Sequence, residues 1–210
     1  MRKLSVAILF AVLVSVAVAQ IPGATPFTGD LTMKGKGGHD MTGKVYFSGS
    51  KMRLDMNAAG RNSIMIIDTV NKVGYMVMPQ QKMYMEMGAG QQNPMHRGPK
   101  MDTLKAYDPN NPCVANSDMT CQKVGSESVN GRNTDHWIFT TKKDNQKMNV
   151  WIDKNIHFPI RTQSDEMQMD VTNIKEGAPA ASLFEVPAGY KKFDMGAMMG
   201  GRMPQGKDDE

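Results

Sequence analysis

Apolar residues recur at every second position along most of the chain after residue 26. In the stretch KVYFSGSKMRLDMN, on both sides of the Ser-Gly-Ser turn, the apolar set is Val45, Phe47, Met52, Leu54 and Met56. A period of two is typical of strands with one buried and one solvated face. No long stretch keeps the spacing of an amphipathic helix. The pattern therefore predicts a protein made mainly of β-strands.

Short turns separate eleven such stretches: FTGDLTMK, KVYF, KMRLDMN, RNSIMIID, KVGYMVM, KMYMEM, CQKVGSESV, RNTDHWIFTT, KMNVWID, PIRTQSD and MQMDVTNI. This close spacing, with Asn130-Gly131 as a hairpin signal, is typical of antiparallel meanders. Eleven antiparallel strands with one apolar face cannot remain a flat sheet. We predict a single antiparallel sheet of about eleven strands, curled into an open half barrel, with a few short helices covering its concave face. A closed barrel is the alternative. The stretch 99–107, PKMDTLKAY, is predicted as a short helix.

The chain divides into three parts by composition. Residues 1–19 have a basic start and an apolar run that ends in the small residues Ala17–Ala19, the pattern of a signal peptide cleaved before Gln20. Residues 20–194 form the predicted β domain, and 195–210 form a tail, rich in glycine and methionine, that we expect to be disordered. We therefore expect a periplasmic or secreted protein without stable membrane insertion. A retained anchor is the alternative, although the apolar run is shorter than the roughly 20 residues that cross a bilayer.

Charge and cysteine content narrow the class of protein. Without the two basic residues of the signal peptide, 23 basic side chains remain against 21 acidic ones, and no basic patch is interleaved with aromatic residues. Nucleic acid is therefore not an expected partner. Cys113 and Cys121 are the two cysteines, and in an oxidising compartment we expect them to form a disulfide. A thiolate metal pair is the alternative, but it lacks a nearby histidine and the Cys-x-x-Cys spacing.

Catalytic groups do not assemble along the sequence. No serine stands in a Gly-x-Ser-x-Gly elbow, and both cysteines are assigned to the disulfide. His136 lies in a predicted strand beside Trp137, where we expect a hydrogen-bonded, structural histidine. We therefore predict a protein that is not an enzyme and that needs no cofactor.

Methionine is the most informative residue type, with 21 in 210 positions. Soft thioethers select Cu(I), and the sequence offers a candidate Cu(I) set: Met83, Met85, Met87, Met95 and His96. Alternate residues of one strand lie about 7 Å apart, so these side chains need a second strand to share an ion. Methionine also recurs on nearly every strand, which favours an apolar lining over a metal site. Copper binding stays open as the alternative.

An apolar lining is the interpretation we favour for these methionines. Methionine is flexible and polarizable, and it is common on surfaces that accept varied apolar partners. On the concave face we expect the following residues to bind an apolar ligand: Val45, Phe47, Met52, Leu54, Met56, Tyr75, Met83, Met85 and Met87. Spacing alone does not decide which side of the strand 72–78 faces inward, because Met76 and Met78 alternate with Tyr75 and Val77.

Three motifs follow one another along the predicted domain. The first is VYFSGSKMRLDM, followed by Asp68, Lys72, Tyr75, Pro79, Lys82 and Tyr84. The second comprises Glu127, Asn130-Gly131, Trp137 and WIDKNIHFPIR, and the third is LFEVPAGYK, from Leu183 to Lys191. In this order, over residues 27–193, they resemble the LolA/LppX-like superfamily of periplasmic lipoprotein-sorting and lipid-carrier proteins, closest to an uncharacterised exported branch of it.

The resemblance implies an incomplete antiparallel barrel whose concave face meets acyl chains, in a carrier without cofactor or catalytic activity. It carries no functional residue onto a position of this chain. The resulting hypothesis is an exported carrier that holds a lipid or an acyl chain on the concave face, in envelope lipid or lipoprotein handling. Two alternatives remain: a periplasmic Cu(I)-binding protein, and an envelope domain that binds a protein partner without a small ligand.

Overall fold

The computed structural model describes residues 24–38, 40–88, 108, 111–113 and 118–193. Within them the alternating stretches form twelve strands, numbered here in chain order. Their bounds are β1 Phe27–Gly35, β2 Met41–Ser48, β3 Lys51–Ala58, β4 Arg61–Asp68, β5 Val73–Met78, β6 Met83–Gly88, β7 Met119–Val129, β8 Arg132–Thr141, β9 Lys147–Asp153, β10 Pro159–Gln163, β11 Met167–Glu176 and β12 Lys191–Lys192.

All twelve strands belong to one sheet, in the order β12-β6-β5-β4-β3-β2-β1-β11-β10-β9-β8-β7. Two meanders, β1–β6 and β7–β11, are joined where β1 pairs with β11 in antiparallel fashion. The short strand β12 is parallel to β6. The end strands β12 and β7 do not pair with each other, so the sheet is not closed into a barrel. The predicted fold class, a mainly β protein built on one open antiparallel sheet, is confirmed.

Two details differ from the sequence prediction. The twelfth strand, Lys191–Lys192, was not predicted because two residues are too short to show alternation. The described residues contain two short 3-10 helices, Pro79–Gln81 and Ala181–Phe184. The second of them packs on the convex face of the sheet instead of the concave one, because its apolar partners lie there. The predicted helix at 99–107 lies outside the described residues.

The predicted segments at both ends of the chain also lie outside the described residues. These are the signal peptide at 1–19 and the tail at 195–210, which remain predictions together with the domain limits drawn from them. Among residues that the structure does describe, no helix has both the length and the apolar character needed to cross a membrane.

The concave face of the sheet buries the main apolar core. The rings of Phe27 and Phe47 lie 5.7 Å apart, and Phe158, from the loop between β9 and β10, lies 5.0 Å and 5.6 Å from them. Side chains of β1 to β4 and of β7 to β11 join the same cluster. One apolar cluster therefore runs along this face across both meanders.

A second apolar cluster lies on the convex face of β4–β6, under the C-terminal segment 180–190. Ile66 is fully buried there, and Phe184 packs into the same cluster. Arg53 on β3 donates a hydrogen bond from Nη1 to the carbonyl oxygen of Leu183 at 2.9 Å. The C-terminal segment is thus fixed to the sheet by apolar contact and by a cationic donor.

One predicted turn and the predicted disulfide are both found. Asn130 and Gly131, between β7 and β8, have φ values of 52° and 76°, as a two-residue hairpin turn requires. Cys113 and Cys121 form a disulfide with Cα atoms 5.6 Å apart. Both cysteines pack against the concave core, so the bond ties the segment before β7 to that core.

Asp153, at the end of β9, anchors the loop that enters the concave core. Its buried carboxylate pairs with the guanidinium of Arg132 and accepts backbone hydrogen bonds from Asn155 at 2.8 Å and Ile156 at 2.9 Å. Burial alone would raise the pKa of Asp153, but the hydrogen bonds from Arg132 and from the two amides outweigh it and hold this pKa below its ordinary value. The ionised carboxylate therefore fixes the loop that carries Phe158.

We expect Asp153→Asn to lower the free energy of unfolding at neutral pH by about 3–5 kcal/mol, as when one partner of a buried ion pair is removed. The folded-state pKa of Asp153 lies below the unfolded one, so its contribution is complete above the unfolded pKa and is lost as the pH falls through the folded pKa. The gap between variant and wild type should therefore narrow below about pH 4.

Urea unfolding at several pH values measures this gap. Asp165→Asn is the matched control, because Asp165 is exposed between β10 and β11, and it should leave stability within about 0.5 kcal/mol of wild type. A gap that stays constant down to low pH would contradict the anchoring role of the Asp153 carboxylate.

Candidate ligand-binding face

Six methionines lie together on the concave face of β4, β5 and β6. Met76 on β5 is opposite both Met65 on β4 and Met85 on β6. Met78 is opposite Met83 in the same hairpin. Residues directly opposite each other in an antiparallel pair present their side chains to the same face of the sheet. We call this set the methionine face: Met65, Met76, Met78, Met83, Met85 and Met87.

The strand register connects the methionine face to the concave core. Leu54 on β3 is opposite Met65, and Val45 on β2 is opposite Leu54. Val45 is 1% exposed, whereas Leu54 and the six methionines are all partly exposed. Burial therefore decreases from β2 towards β6 along one continuous face. The apolar surface extends out of the packed core and reaches solvent at the methionine face.

The two faces of β4–β6 are built from different apolar residues. The cluster on the convex side takes five side chains from these strands: Ile64, Ile66, Tyr75, Val77 and Tyr84. Among the described residues of that cluster there is no methionine. A general excess of methionine in the chain would place it on both faces. Its restriction to the concave side points to a requirement of that surface.

The structure brings eight of the nine predicted ligand-binding residues to the concave face. Four of these are buried in the core: Val45, Phe47, Met52 and Met56. Four are partly exposed: Leu54, Met83, Met85 and Met87. Tyr75 lies on the convex face, with its ring 6.0 Å from that of Tyr84, because the register sets it opposite Ile66 and Glu86. Ligand binding by these residues stays a prediction.

Sequence reasoning did not include three residues of the methionine face, namely Met65, Met76 and Met78. A usable signal was present in the hairpin between β5 and β6. Residues that flank a hairpin turn pair across it, so Met78 and Met83, on either side of Pro-Gln-Gln-Lys, face the same way. An inward Met83 then makes Met76 inward and Tyr75 outward.

The candidate Cu(I) set is placed only in part. Met83, Met85 and Met87 alternate along β6, about 7 Å apart at 3.4 Å per residue, so they do not converge on one point by themselves. Met95 and His96 lie outside the described residues. In the part of the chain that the structure describes, no three His, Cys, Asp or Glu side chains are grouped as metal ligands.

His136 is held within a polar and aromatic cluster of the other meander. Its ring stacks on Trp151, with centroids 4.4 Å apart. Its Nε2 lies 2.9 Å from Oδ1 of Asn149, and its Nδ1 lies 3.3 Å from Oε1 of Glu127. Glu127 also accepts a hydrogen bond from Nε1 of Trp151 at 2.6 Å. Both ring nitrogens are engaged by neighbours, as a structural histidine requires.

Solved structures with this fold come from distant proteins. An uncharacterized conserved protein from Thermus thermophilus matches with a TM-score of 0.56 and 10% identity, over 90% of this chain and 98% of its own. The Pseudomonas aeruginosa MucA/MucB complex contains a chain that matches with a TM-score of 0.51 and 15% identity, over 85% of this chain and 61% of that one. A LolA superfamily protein from Nitrosomonas europaea matches with a TM-score of 0.36 and 10% identity, over 84% and 96% of the two chains.

At such identities the likeness is one of fold alone. It defines the class of the protein as an open, curled β sheet, a fold shared with the Thermus and Pseudomonas chains, and the fold that the predicted resemblance implies is confirmed. The family follows from the sequence: residues 27–158 match the model of "Domain of unknown function (DUF4412)", and the chain belongs to this family. None of the curated proteins compared with the chain matches it.

The two faces of β4–β6 should respond differently to substitution. Phe184→Ala removes the ring that covers the convex cluster, and we expect it to lower the free energy of unfolding by about 3–5 kcal/mol. Met85→Leu, on the partly exposed methionine face, conserves apolar volume and should change stability by less than about 1.5 kcal/mol. Urea unfolding of both variants measures the difference. Equal losses would show that the methionine face is as tightly packed as the convex cluster.

Proposed function

We propose that this protein is a non-enzymatic carrier of the cell envelope that holds an apolar ligand, a lipid or an acyl chain, on the methionine face. The observation that carries the proposal is the contiguous set of partly exposed methionines on three neighbouring strands, continuous with the packed concave core. Apolar side chains gathered in one exposed patch, rather than scattered singly, are typical of binding surfaces.

Methionine side chains suit a ligand that is itself flexible. Their unbranched thioethers have three rotatable bonds and can repack around acyl chains of different length. Each methylene that leaves water contributes about 0.8 kcal/mol. Burial of roughly ten methylenes therefore gives a gross gain of about 8 kcal/mol, from which the loss of ligand freedom is subtracted. An open apolar face can reach useful affinity in this way without a polar anchor.

The envelope location in this proposal rests on the signal peptide predicted at residues 1–19. The matched Pseudomonas chain is described as part of a MucA/MucB complex, which supports including a protein partner in the proposal. Such a partner would deliver the ligand or receive it. A carrier of this kind needs only reversible binding, so no catalytic group or cofactor enters the mechanism.

Lipid binding is tested first by native mass spectrometry of the protein purified from its own envelope, where we expect co-purifying apolar adducts. Affinity for the fluorescent acyl probe cis-parinaric acid is then compared between wild type and Met76→Gln/Met85→Gln. The amide groups must lose water when the probe covers them, so we expect affinity to fall at least about tenfold, or 1.4 kcal/mol.

Val70→Gln/Val124→Gln is the matched control, because these valines are 56% and 53% exposed and lie off the methionine face. The control should bind the probe like wild type. Absence of adducts, together with probe binding that the methionine variant does not weaken, would rule out the carrier function at this face.

A further inference from the structure

We infer that the central row of the methionine face, formed by Met65, Met76 and Met85, is a binding site for Cu(I). We call these three residues the thioether row. The inference goes beyond the proposed carrier function, because it concerns the sulfur atoms and not the apolar area of the surface. It also differs from the candidate set of the sequence analysis, which combines Met83, Met85 and Met87 of β6 with Met95 and His96.

The strand register brings the three side chains of the thioether row side by side. Met76 is directly opposite Met65 on one side and Met85 on the other. Directly opposed residues have Cβ atoms roughly 4.5–5.5 Å apart, closer than the 7 Å or so between alternate residues of one strand. A methionine side chain is long and flexible enough for its sulfur to span this separation. Three sulfurs can therefore point at one ion beside Met76.

Access distinguishes the thioether row from another run of opposed methionines. Met33 on β1 lies between Met169 on β11 and Met41 on β2, but Met33 is only 4% exposed inside the packed core. All three members of the thioether row are partly exposed. An ion can reach the sulfurs of the thioether row from solvent without opening the core.

The surroundings of the thioether row favour a soft ion. Leu54 borders it on the β3 side. On the β6 side, β12 pairs only with Met83 and Tyr84, so no described strand is hydrogen-bonded beside Met85. Glu86, the carboxylate that follows Met85, belongs to the convex face and pairs with Lys192 at 2.6 Å. Thioethers without hard oxygen ligands select Cu(I) over Zn²⁺, Ca²⁺ or Mg²⁺.

The test is an anaerobic titration of the full-length chain with Cu(I), kept reduced, in competition with a chromophoric Cu(I) chelator. Wild type is compared with Met65→Leu/Met76→Leu/Met85→Leu. We expect wild type to bind one more equivalent of copper than this variant, and X-ray absorption at the copper edge to show sulfur neighbours that the variant lacks. Other methionines of the chain contribute equally to both proteins, so the difference reports the thioether row.

Leucine preserves apolar volume but carries no sulfur, so the triple variant removes the proposed copper ligands and keeps the face apolar. Copper is titrated in the absence of any acyl probe, so the copper site and the carrier function can fail independently. Met78→Leu/Met87→Leu, on the same face and strands but outside the row, is the matched control and should keep the extra equivalent. The inference is overturned if the triple variant keeps that equivalent, if the control loses it equally, or if Zn²⁺ competes for it.

Discussion

The hydrogen-bond register of the single sheet is the constraint on which the rest of the structure depends. Successive residues of a strand point to opposite faces, so one pairing decides at once which side chains enter the concave core and which meet the C-terminal segment. A slip of one residue between β5 and β6 would replace Met83 and Met85 on the concave face by Tyr84 and Glu86. The turn at Pro79–Gln81, with Lys82 at a φ of 50°, holds the pairing that prevents it.

A single sheet must cover both of its faces, and this chain does so by different means. On the concave side the sheet curls, and the loop held by Asp153 brings Phe158 onto Phe27. On the convex side the C-terminal segment lays Phe184 into the cluster around Ile66. Phe158 and Phe184, which cover the two faces, are both buried, whereas the methionine face stays partly exposed. The candidate site is thus the part of the apolar surface that the described covers leave accessible.

Period-two alternation was enough to predict the strands, because stretches such as FTGDLTMK bury every second residue on one face. It was not enough to place Tyr75, since both sides of β5 carry apolar residues and only the pairing across the turn separates them. The packing of Phe184 against the convex cluster could not be predicted from the sequence, for another reason. Its segment does not alternate, and its partners come from strands far earlier in the chain. The ion pair of Arg132 and Asp153 likewise joins two strands without any local sequence signal.

The choice of apolar residue on each face follows from what each contact must do. Fixing a buried methionine costs up to about 1.5–2 kcal/mol of side-chain entropy, against about 0.5–1 kcal/mol for isoleucine or leucine. Branched side chains such as Ile66 therefore suit the convex cluster, whose cover belongs to the chain itself. Methionine is the poorer choice for a permanent contact and the better one where the contact forms and breaks. Methionine is confined to the concave side of β4–β6, which is the pattern expected of a surface that binds a ligand reversibly.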